Sequence, residues 1–82
     1  IDRVDRELIK LVARRLHGSV EIARIKAKKG LEMRSPDREK ELIEEAVVDG
    51  EALGVDREYI ENLMNLVLTH SRAAQRRALA ES

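Results

Sequence analysis

Cysteine is absent from the 82 residues, which excludes a disulfide framework, Cys-ligated zinc and thiol catalysis. Aromatic residues are reduced to Tyr59 alone, so any core must be built from aliphatic side chains. Neither sign of charge is in excess. Lys and Arg total 16, Asp and Glu total 16, and the formal net charge is zero. That interleaved balance argues against a protein that binds nucleic acid by neutralising phosphates. No apolar run approaches the ~20 residues of a bilayer span, and no signal-peptide pattern opens the chain. The expectation is one small domain over residues 1–82, cytoplasmic, with neither membrane nor nucleic acid as a partner.

What is present is helical periodicity. Hydrophobic residues make up 43% of the chain, and sparse punctuation at Gly30, Ser35-Pro36, Gly50 and Gly54-Val55-Asp56 divides it into three segments. The first, residues 1 to 29, carries Ile1, Val4, Leu8, Leu11, Ile22 and Ile25 on one seam, and Lys28 and Lys29 before Gly30 make a C-terminal stop. The second opens with Ser35 as N-cap and Pro36 at the first helical position, carries Leu42, Ile43, Ala46 and Val47 on its core side, and fades by Gly50. The third opens at Asp56, with Val55 and Ile60 spaced as a hydrophobic staple, and continues through Leu63, Met64, Val67 and Leu68 to Leu79. The predicted fold is all-α: long, short, long.

Length then predicts assembly. A helix of about 29 residues spans roughly 43 Å, whereas a compact monomer of this size has a radius of gyration near ~12 Å. The overhanging half of the first helix can bury its stripe only against a second chain. A chain of this size also buries only about 60% of its unfolded surface and has no disulfide to compensate. Two copies intertwined as a homodimeric helical bundle meet both demands. The alternative is a break at Gly18, but an interior glycine costs only about 1 kcal/mol relative to alanine and need not end a helix.

Polar residues interrupt these seams. Arg15 occupies the position after Ile1, Val4, Leu8 and Leu11, and Lys26 follows eleven residues later on nearly the same face. In the third segment Ile60, Met64 and Val67 lead into Ser71 and Gln75, and Arg38 and Glu39 stand one turn before the apolar stripe of the second. Long side chains that snorkel explain any one of them. Together, three cations against one acid would cost several kcal/mol if buried without a partner. A small dianionic ligand answers that excess, with arginine offering planar bidentate contacts to carboxylates. His17 and His70 lack metal-ligand spacing and read as surface or interface residues. Arg72, Arg76 and Arg77 suit the end of a helix, whose dipole favours cations.

The run Asp2-Arg3-Val4-Asp5-Arg6-Glu7-Leu8, followed by Arg14-Arg15, Ile25-Lys26, Pro36-Asp37-Arg38-Glu39 and Ser71 through Gln75, resembles the all-helical class of chorismate mutases, the type II domain. The resemblance implies an intertwined dimer that converts chorismate to prephenate, the branch step towards phenylalanine and tyrosine. It places Arg15 and Arg38 at the substrate carboxylates, Lys26 and Gln75 at the ether oxygen, Glu39 at the ring hydroxyl and Ser71 near the ring carboxylate. Ser35 stands where relatives often have an acidic residue that contacts the hydroxyl. A further arginine that the family carries near the start of its first helix would fall before Ile1, so either the native chain has a longer start or the site lacks one cation; the lack of an initiator Met favours the longer start.

A Claisen rearrangement is unimolecular and needs no nucleophile, metal or cofactor, in keeping with a sequence that offers none of these. It needs a ligand held in a compact reactive conformation and donors aimed at the ether oxygen as the C–O bond breaks. Two other readings stay open. One is an isochorismate pyruvate lyase, with a similar fold and similar pocket cations. The other is a non-catalytic dimerisation or ligand-sensing module in which Arg15 and Lys26 pair with acids across the dimer.

Overall fold

The structure, a computed structural model, describes residues 1–32 and 34–81. Three helices follow in order: α1 (Asp2–Lys29), α2 (Pro36–Ala52) and α3 (Arg57–Ala80). No strand occurs among the described residues, as the periodicity requires.

Each boundary has a local cause. Asp2 and Asp5 lie in the first turn of α1 and Lys26, Lys28 and Lys29 in its last, so the charges oppose the helix dipole at both ends. Gly30 stops the helix in the left-handed region, at φ 69°. The Leu31 N–H reaches the Lys26 carbonyl at 2.9 Å and the Gly30 N–H the Ala27 carbonyl at 3.3 Å, the paired bonds of a Schellman cap. Gly18 does not interrupt α1, and a β-carbon added there would meet nothing within 4 Å. At the start of α2 the Ser35 hydroxyl accepts from the Arg38 N–H at 3.3 Å, with Pro36 in the first turn.

The end of α2 departs from the sequence expectation. The helix does not fade at Gly50 but runs on to Ala52. Gly50 is buried, and a β-carbon there would lie 2.6 Å from Ile60 Cδ1, so this glycine serves a close approach and not a stop. The stop is Gly54, at φ 84°. Val55 N–H reaches the Gly50 carbonyl at 2.8 Å and Gly54 N–H the Glu51 carbonyl at 3.0 Å, a second Schellman pair.

The chain forms two compact units, Ile1–Met33 with His70–Ser82, and Arg34–Thr69. In the first, Ala23, Ser71 and Ala78 are buried, and Leu16, Val20 and Leu79 are half-buried. In the second, Val47, Ile60 and Leu68 are buried, flanked by half-buried Leu42, Ile43, Ala46, Met64 and Val67. Residues 1–12 are exposed throughout. The stripe of Ile1, Val4, Leu8 and Leu11 is therefore left uncovered among the described residues.

Candidate active site

The first unit gathers polar side chains between α1 and the end of α3. Arg15, half-buried, donates from Nη1 to the Ser71 hydroxyl at 2.9 Å and lies 3.5 Å from the Ser19 hydroxyl. Ser71 is only 5% exposed. One turn further, Gln75 Nε2 donates to the Ser19 carbonyl at 2.9 Å. Because 15 pairs with 71 and 19 with 75, α1 and α3 run parallel here, stepping about 6 Å together from one contact to the next. Serines and a carboxamide on the facing seams are what allow the helices to meet with every buried side-chain polar atom partnered among the described residues.

Lys26 lies three turns on from Arg15 along α1 and is half-buried. Among the described residues neither Arg15 nor Lys26 is paired with a carboxylate. Among the described residues the Arg15 side chain is held by neutral hydroxyls, which fix its direction and leave its charge uncancelled.

The second unit holds the other expected residues. Ser35 is committed to capping α2. Arg38 is exposed and points along its own helix, with Nη1 3.1 Å from Glu41 and 3.6 Å from Glu45. Glu39 is the more sheltered member of its pair, its carboxylate accepting from Arg34 Nε at 3.3 Å. Another ion pair joins α2 to the first residue of α3: Arg57 donates to both Glu44 oxygens, at 2.8 and 3.4 Å. The Arg57 hydrogen bond, reinforced by its charge, holds the Glu44 carboxyl below the ordinary carboxylate range and raises Arg57 in turn. His17 and His70 are exposed, as expected. Among the described residues no group of three or more His, Cys, Asp or Glu could hold a metal ion.

Sequence reasoning missed two residues here, Ser19 and Arg34. Ser19 lies four residues beyond Arg15 on the face that leads to Lys26, and that spacing was its only signal. Arg34 precedes the cap of α2 and belongs to no seam.

Residues 1–76 match the protein family described as chorismate mutase type II. The chain belongs to this family. Proteins similar to this chain include the T-protein of Enterobacter agglomerans, 33% identical over 75 residues, covering 92% of this chain and 20% of that protein. The T-protein of Haemophilus influenzae is 32% identical over 73 residues, 89% of this chain and 19% of the relative. A bifunctional chorismate mutase/prephenate dehydratase of Enterobacter agglomerans is 34% identical over 82 residues, all of this chain and 21% of the relative. The chain thus spans about a fifth of the length of these curated relatives. Within the chorismate mutase type II match fall Arg15, Lys26, Ser35, Arg38, Glu39, Ser71 and Gln75.

Proposed function

We propose that this chain rearranges chorismate to prephenate, supplying phenylalanine and tyrosine biosynthesis, as a single domain over residues 1–82 and without a cofactor. One observation carries the reading: two half-buried cations of α1, Arg15 and Lys26, have no carboxylate against them among the described residues, and Arg15 lies against the buried Ser71 hydroxyl of α3, one turn from the Gln75 carboxamide. Uncompensated cations beside oriented neutral donors suit a dianion that gains negative charge at one oxygen as it reacts. Family membership narrows that dianion to chorismate, which the name of the bifunctional relative also carries.

In this mechanism Arg15 and Arg38 hold the two substrate carboxylates and so keep the ligand near its reactive chair. Lys26 and Gln75 donate to the ether oxygen, and each well-placed donor in such a site is worth about 2.7–4 kcal/mol of barrier. Glu39, with Ser35 at the start of α2, receives the ring hydroxyl, and Ser71 stands near the ring carboxylate. Arg38 must exchange Glu41 and Glu45 for substrate, a small cost for exposed pairs.

The working form is an intertwined homodimer in the cytoplasm. The stripe of Ile1, Val4, Leu8 and Leu11, exposed among the described residues, supports the dimer, because these four apolar residues would gain burial against a second copy. Among the described residues no helix is long and apolar enough to cross a membrane.

Incubating the full-length protein with chorismate, and separately with isochorismate, tests the activity. Loss of chorismate absorbance, with a product that acid converts to phenylpyruvate, is the expected result. Salicylate and pyruvate formed from isochorismate would mark a lyase instead, and both substrates recovered unchanged would mark a binding module.

A further inference from the structure

We propose that Ser19 is a positioning residue for this reaction, setting the side chains of Arg15 and Gln75 from a single turn of α1; the proposal rests on the mutase reading above. Ser19 meets both groups through different atoms. Its hydroxyl lies 3.5 Å from Arg15 Nη1, and its backbone carbonyl accepts from Gln75 Nε2 at 2.9 Å.

Each contact has a chemical consequence. A carbonyl oxygen can only accept, so the carboxamide atom facing it must be nitrogen, and the usual ambiguity of an amide flip is removed. One of the two Nε2 hydrogens is thereby held by Ser19. The other is left to donate, which is the polarity required of Gln75 at an oxygen that gains negative charge. For Arg15, Nη1 sits between two hydroxyls from different helices, Ser71 at 2.9 Å and Ser19 at 3.5 Å. Two neutral acceptors restrict the plane of the guanidinium while leaving its full charge for an anion. An acid at either position would restrict it equally but cancel that charge. Half-burial of Ser19 and Arg15 keeps water from replacing these contacts freely.

The two arms separate experimentally, because Ser19→Ala deletes the hydroxyl and keeps the carbonyl. Alanine also favours the helix, so the variant should fold. In the full chain, Ser19→Ala should lower kcat/KM for chorismate about three- to tenfold, mainly through KM, as expected for one weakened hydrogen bond to a charged group. Thermal stability should not fall, and Ser19→Thr, which restores a hydroxyl, should recover kcat/KM to within about twofold of wild type. By ¹⁵N relaxation the Arg15 Nε–H should become more mobile in Ser19→Ala, while the Gln75 carboxamide resonances stay in place. An unchanged kcat/KM, or a loss that tracks a lower Tm and is not recovered by threonine, would overturn the proposal. If the wild type leaves chorismate untouched, the mutase reading fails on its own, and Arg15 mobility then decides for Ser19: increased in Ser19→Ala sustains the positioning role, unchanged ends it.

Discussion

Arg15 shows how much a single residue reveals once its neighbours are known. Its place on the apolar seam was visible in the sequence, because an arginine replaced an expected leucine one turn after Leu11. Its partners were not. Ser71 was legible as a break in the seam of the third helix, but that its hydroxyl faces Arg15 depends on the register between two helices 56 positions apart. Ser19 was less legible still, since half of its contribution comes from a backbone carbonyl, which carries no residue-type signature. Ser71→Ala removes the shorter of the two Arg15 hydrogen bonds. It should lower kcat/KM for chorismate about three- to tenfold, the scale of one hydrogen bond to a charged group. Steady-state kinetics on the purified variant checks this, and a loss beyond about a thousandfold would instead give Ser71 a transition-state contact of its own.

Helix ends were the most legible elements, because capping chemistry is local. Ser35-Pro36 and the Lys28-Lys29-Gly30 stop act where the sequence put them. Gly50 misled because two glycines four residues apart both look like stops, and only packing tells them apart. Gly50 is required by contact with Ile60, Gly54 by its positive φ. The two should therefore respond to substitution in opposite order. At Gly50, alanine should cost about 1–3 kcal/mol of overpacking, partly offset by about 1 kcal/mol of helix propensity, and asparagine should cost more. At Gly54, alanine should cost about 1–2 kcal/mol of left-handed strain, and asparagine, which tolerates that region, should cost less. Thermal unfolding of the four variants at one protein concentration checks the order; an identical ranking at both sites would contradict it.

The Glu44–Arg57 bridge makes the stability of the α2–α3 connection depend on pH. Because the folded state holds the Glu44 carboxyl below its ordinary range, the stabilisation is fully present above that range. It is lost as pH falls through the lowered folded-state value. The Tm difference between wild type and Glu44→Gln should be constant near neutrality, close as the pH drops below the carboxylate range, and shrink in high salt. A difference that grows on acidification would be the wrong sign.

For the whole molecule, the exposed first three turns of α1 matter most. Periodicity made the apolar stripe plain, and Ile1, Val4, Leu8 and Leu11 are exposed among the described residues, which supports the proposed second chain. What the sequence did not supply is the pairing itself, which depends on long-range packing. Sedimentation analysis of the full chain should give a dimer, and Leu8→Glu, which sets a charge in the middle of the stripe, should shift it to monomer with reduced helicity. A wild-type monomer at micromolar concentration would contradict the assembly.

In the proposed mutase reaction fixed cations and donors on α1 and α3 perform the chemistry, and Lys26 is its sharpest test. Its kcat should be measured against wild type with chorismate as substrate, once helicity and oligomeric state are matched. Wild type should form prephenate, and Lys26→Ala should lose on the order of a hundred- to a thousandfold in kcat. Equal turnover by the two proteins would contradict it.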